Sequence, residues 1–77
     1  MLMHVFIAIC LVGMAPRDCN RATAVDWIAA PELQPGYSAC MIHGLEYVAQ
    51  ARLIQPGKTY PKIFCLPPTS IGKANIG

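Results

Sequence analysis

The chain has 77 residues, 55% of them hydrophobic and 13% charged, with a formal net charge of +2. That length allows one domain at most, and so apolar a composition excludes an intrinsically disordered chain. Its six cations, Arg17, Arg21, Arg52, Lys58, Lys62 and Lys73, are scattered and form no basic stripe, so nothing points to nucleic acid as a partner. A chain this short buries little core and is commonly completed by disulfides, a metal or a partner. Low charge on an apolar chain adds to the case for burial against another protein.

The chain opens with a continuous apolar run, Val5-Phe6-Ile7-Ala8-Ile9-Cys10-Leu11-Val12. Its β-branched and aromatic content favours a buried strand. A signal-peptide core is the second reading, with Gly13-Met14-Ala15 as small residues near a cut, and a membrane anchor the third. Both are disfavoured: no Lys or Arg precedes the run, Pro16 would follow the cut, and the run is short for either role. Residues 14–21 read as a polar loop that carries Cys19 among charged neighbours. Residues 22–30 read as a second strand in which Val25 and Trp27 share a face, stopped by Pro31. Residues 31–36 form a proline-stiffened loop.

Residues 37–55 predict a helix, the element around which the rest is arranged. Met41, Leu45, Val48 and Arg52 recur at helical spacing, widened by Ile42, Ala49 and Leu53, and predict the buried stripe. His43, Glu46 and Gln50 fall on the wet face. Ser38 is the expected N-cap, and Pro56-Gly57 the expected stop. Gly44, beside the stripe, costs the helix roughly 1 kcal/mol relative to Ala and suggests close approach to a strand. Residues 60–66 read as a third strand, with Ile63 and Cys65 on one face and Pro61 requiring a strand start or a sheet edge. Pro67-Pro68 ends it. Residues 69–77 have no period and read as a frayed tail or an arm that orders on a partner, with Ile71, Lys73 and Ile76 as its partner-binding candidates.

The order β-β-α-β predicts an α+β fold. Residues 1–68 would form one small domain, a three-stranded antiparallel sheet in order 2-1-3 with one helix on one face, stabilised by disulfides. The first strand is then central, which suits its unbroken apolar run, and the third lies on an edge, which suits Pro61.

Cys10, Cys19, Cys40 and Cys65 are the chemically suggestive set, and three complete intrachain pairings exist. The topology favours Cys10 with Cys19 and Cys40 with Cys65, because each pair falls at one end of the sheet. The bridge closing the longer loop would contribute about 3 kcal/mol. Cys19, in an exposed charged loop, is the best candidate for a bond to another chain. Cys40-Met41-Ile42-His43 has a metal-ligand spacing and His4 adds a second imidazole, but the other cysteines lack a paired knuckle, so no metal or other cofactor is expected. No C-x-x-C is present to make a redox centre. Asp18, Asp26, Glu32 and Glu46 form no recognisable acid/base pair, and phosphate loops and hydrolase motifs are missing, so no catalytic residue is assigned.

The strand ending in Cys10-Leu11, the Ala15-Pro16-Arg17-Asp18-Cys19 loop, the Ser38-Ala39-Cys40-Met41 helix start and the late-strand Cys65 resemble a group of very small four-cysteine proteins of alphaproteobacteria and their phages. The resemblance covers roughly residues 3–66. It implies no enzymatic activity, and it suggests the role of small accessory proteins that reinforce phage capsids. The expectation is a non-enzymatic structural protein of a virion that binds and disulfide-cross-links larger subunits, with other protein subunits, capsid proteins among them, as partners and neither nucleic acid nor membrane. The alternatives are a secreted or periplasmic disulfide-bonded domain, and a small zinc- or thiol-active protein.

Overall fold

A computed structural model of the chain describes residues 2–67. The elements run β1 (His4–Leu11), a 3₁₀ turn (Pro16–Asp18), β2 (Asp26–Ala29), α1 (Tyr37–Ala51) and β3 (Thr59–Leu66). The three strands form one antiparallel sheet in the order β2-β1-β3, as the sequence predicts. The apolar N-terminal run is therefore the central strand, and the fold cannot form without it.

Backbone hydrogen bonds fix how β1 divides itself between its neighbours. The Val12 amide donates to the Lys58 carbonyl at 3.0 Å, and the Ala30 amide to the Val5 carbonyl at 2.9 Å. With the observed registers, even-numbered residues of β1 bond to β3 and odd-numbered ones to β2. In β3 the backbone groups of Thr59, Pro61, Ile63 and Cys65 thus point away from β1, toward an edge that no other strand covers among the described residues. Pro61 sits where its missing amide costs no ladder bond and deprives an incoming strand of a donor. On the other edge the Trp27 amide points outward and donates to its neighbour's Asp26 Oδ1 at 2.9 Å. Pro61 blunts one end of the β3 edge, and the Asp26 side chain occupies the outward Trp27 amide on the β2 edge.

Side chains alternate across the sheet. The odd residues Val5, Ile7 and Ile9 of β1 face the helix; Ile7 and Ile9 cluster with Val48 there, and Ile28, Tyr47, Leu53, Ile54 and Ile63 pack around them. The even residues Ala8 and Cys10 face the opposite side, where Cys19, Met14, Ala24, Trp27, Tyr60 and Phe64 close over them. The helix covers one face and the loop after β1 covers half of the other.

The second strand is shorter than residues 22–30. Residues 20–24 turn instead, because the Asn20 side chain accepts from the amides of Ala22 (2.8 Å) and Thr23 (3.2 Å), while the Thr23 hydroxyl donates to the Asp18 carbonyl (2.6 Å). Such local side-chain bonds outcompete a ladder. Val25 is consequently exposed and only Trp27 of the expected pair is half-buried.

The helix departs from expectation in three ways. Its N-cap is Gly36, with no side-chain cap, and Ser38 lies inside the first turn. It stops at Arg52, which adopts a left-handed conformation (φ 53°), with the Leu53 amide bonded back to the Val48 carbonyl at 3.2 Å. Its stop therefore comes well before Pro56-Gly57. The buried face is also rotated from the predicted stripe. Cys40, Gly44 and Val48 are buried, whereas Ile42 and Leu45 are 59% and 52% exposed and Arg52 is exposed. His43 is half-buried, with Nε2 2.9 Å from the Pro31 carbonyl.

Gly44 is the physical reason for that rotation. A Cβ placed there would lie 2.7 Å from Ile63 Cγ2 and 3.0 Å from Ile63 Cδ1. The missing side chain lets the helix settle onto β3, the close approach the sequence suggests. Gly44→Ala gains roughly 1 kcal/mol of helix propensity but overpacks a β-branched neighbour that cannot swing aside, at about 1–3 kcal/mol. A net loss of about 1 kcal/mol is expected in urea titration. The same substitution in an Ile63→Ala background should be neutral or stabilising; an equal loss in both backgrounds would mean that the contact is not the cause.

Candidate functional site: the two disulfides and the surfaces beside them

The sheet brings the four cysteines together in the favoured pairs. Cys10 bonds to Cys19 with Cα atoms 6.0 Å apart, and Cys40 to Cys65 with Cα atoms 6.1 Å apart, so no cysteine is left free. The two bridges lie on opposite faces and at opposite ends of the sheet. Cys10 is near the end of β1, across from Tyr60. Cys65 lies across from Val5 near the start of β1 and reaches the first turn of the helix.

The Cys10–Cys19 bridge is sealed. Both residues are fully buried. The bridge draws the loop onto the sheet, where the Tyr60 hydroxyl donates to the Met14 carbonyl (2.8 Å). The Lys62 ammonium donates to the carbonyls of Pro16 (2.8 Å) and Cys19 (3.1 Å). Lys62 thus gives the Cys19 carbonyl a partner and adds a second donor to the Pro16 carbonyl, which already accepts from the Cys19 amide at 3.1 Å. Cys19 is not the exposed sulfur that its charged neighbours suggest: Arg17, Asp18, Asn20 and Arg21 are exposed while the cysteine among them turns inward.

The Cys40–Cys65 bridge is built differently. Cys40 is fully buried under the helix, but Cys65 is half-buried on the outer edge of β3. The helical turn that carries Cys40 has no acidic residue and no side-chain cap. His43, bonded to the Pro31 carbonyl, fixes one flank of the helix toward the segment after β2. Helical geometry then sets Met41 and Leu45 on the other flank, toward the β3 edge. Leu45 (52%), Ile42 (59%) and Tyr37 (64%) leave an apolar margin open along the helix.

The loop-side face carries a feature that the hydrophobic pattern of the sequence does not announce. His4, Phe6, Trp27 and Phe64 form a row of rings, with successive centroids 5.9, 5.3 and 5.1 Å apart. Arg21 lies 5.7 Å from the centre of the Trp27 ring and Lys62 5.1 Å from that of Phe64. The even positions of β1 and their cross-strand partners were the available signal. The rings face one another and the two cations, so the row reads as a small polar-rimmed core.

His4 stacks on Phe6, across the sheet from Cys40 and His43, and Cys40 is in a disulfide, so the structure does not assemble these three as ligands. Among the described residues no cluster of three or more His, Cys, Asp or Glu could hold a metal ion, and no helix is long and apolar enough to cross a membrane. The partner-binding candidates Ile71, Lys73 and Ile76 lie outside the described residues. Compared with known proteins, the chain matches no family model, no curated protein and no solved structure.

Proposed function

We propose that the chain is a non-enzymatic interaction domain that binds larger protein subunits and becomes covalently joined to them through its disulfide chemistry. The observation that carries this reading is the apolar flank of the helix, Tyr37 and Leu45, left open beside a bridge whose Cys65 sulfur belongs to a half-buried residue on a sheet edge that no described strand covers. A domain with few charges gains by burying such a surface against a neighbour. The finer reading, a capsid-linking protein of a phage virion, rests on the resemblance of the cysteine-bearing segments alone. Because all four cysteines are paired within the chain, a covalent link requires one bridge to open.

Gels of the native assembly run with and without reductant test this reading. A band larger than the 77-residue chain that collapses on reduction is expected. A chain that runs as a monomer under both conditions would rule out the covalent version.

A second reading, a secreted or periplasmic domain with internal bridges only, is favoured by the same complete pairing, since structural disulfides persist in oxidising compartments. It predicts that every copy in the native material carries both intrachain bridges and no link to another protein, which disulfide mapping decides.

A further inference from the structure

We infer, on the reading of a covalent linker, that the bridge that opens is Cys40–Cys65 and that the partner's cysteine bonds to Cys65. Cys10 and Cys19 are both fully buried, behind a loop pinned by Tyr60 and Lys62, so no external thiolate reaches that bridge without unfolding the loop. Only Cys65, of the four, belongs to a residue that is not fully buried. It sits on an edge strand, and its backbone amide and carbonyl, with those of Ile63, point outward. An extended segment of the partner could pair there and bring its thiolate to the sulfur.

The exchange balances without an oxidant. A cysteine thiolate of the partner subunit attacks Cys65 Sγ. The partner–Cys65 sulfur bond forms, the Cys40–Cys65 bond breaks, and the electron pair leaves on Cys40 Sγ. The unpaired amides of the first helical turn, with no acid or side-chain cap competing for them, offset part of the cost of leaving charge on a fully buried sulfur. Cys40 then takes a proton from water, and its thiol can donate weakly to the His4 carbonyl oxygen, which lies 3.8 Å from the sulfur. The apolar flank of Met41 and Leu45 predicts that the partner's cysteine lies in an apolar, extended segment.

The test uses the oxidised full chain with reduced glutathione as the attacking thiol under native conditions. Free thiols are trapped by alkylation and the products mapped by mass spectrometry. The expected result is glutathione on Cys65, alkylated Cys40, loss of the Cys40–Cys65 linked peptide and an intact Cys10–Cys19 peptide. A Cys10→Ser/Cys19→Ser variant that stays folded should give the same Cys65 adduct. Glutathione appearing first on Cys10, Cys19 or Cys40 would overturn the assignment. So would a folded chain that takes none while the urea-unfolded chain reacts. Failure of the broader function looks different: Cys65 exchanges with glutathione, yet no covalent band appears in the native assembly. A covalent band mapped to Cys19 would keep the function and sink the assignment to Cys65.

Discussion

Reducing both disulfides is expected to unfold the domain at room temperature. Closing loops of sequence separation 25 and 9 removes chain entropy worth about 3.5 and 2.6 kcal/mol, or about 6 kcal/mol together. A chain of 77 residues has a total stability of roughly 4–12 kcal/mol at the usual figure per residue. The two cores are small: Ile7, Ile9 and Val48 on the helix side, Ala8 and the sulfurs of Cys10 and Cys19 on the other. Little is left to take over once the bridges go. Trp27, stacked on Phe6 and tilted against Phe64, gives a fluorescence signal for the loss. A reduced chain that melts cooperatively at the temperature of the oxidised one would show that the bridges contribute nothing. Replacing only Cys40 and Cys65 by Ala should cost more than replacing only Cys10 and Cys19, in the order of loop length. The reverse order would mean that packing of the buried Cys10–Cys19 sulfurs outweighs the difference in loop entropy.

Ile7→Ala is expected to be the most damaging single substitution in the sheet, at about 3–4 kcal/mol. Ile7 is completely buried in the central strand, flanked by Ile28 on β2 and Ile63 on β3 in register, with Val48 of the helix in the same cluster. Removing its outer carbons leaves a cavity that three elements border, and none can move in without giving up its own contacts. Ile42→Ala is the control. That side chain is 59% exposed on the helix, so its loss should shift stability by no more than about 0.5 kcal/mol. Denaturant titration of the oxidised proteins should show a lowered midpoint with unchanged slope for Ile7→Ala alone. Equal effects at both positions would mean that the buried face of the helix has been misplaced.

Most of the fold was legible in the sequence because its strongest signals were long-range in consequence. An unbroken apolar run wants the middle of a sheet, a proline wants an edge, and a helix between two strands carries the second back beside the first. Once the order is fixed, the two disulfide pairs follow from which ends meet. What escaped was set by local competition or by single contacts. The polar loop of Asn20 and Thr23 consumes backbone groups that a longer β2 would have used. The buried side of the helix is chosen by Gly44 against Ile63 and by the pull of the Cys40–Cys65 bond, neither of which has a hydrophobic period. His43 looks polar and wet in the sequence, yet a carbonyl that becomes its neighbour only after folding keeps it half-buried. For the site, charged neighbours misled: exposure of Arg17, Asp18, Asn20 and Arg21 says nothing about Cys19 when the chain turns sharply between them.

Cys10 and Cys19 lie on one side of the sheet, Cys40 and Cys65 on the other. The sheet thus acts as a partition between the two bridges, and a sulfur cannot reach a mate on the other face without passing through a hydrogen-bonded wall. Once the strands have zipped, scrambled isomers are shut out. The time at which the wall closes, relative to oxidation, then decides whether a newly made chain reaches its native bonds directly or must be repaired by an isomerase.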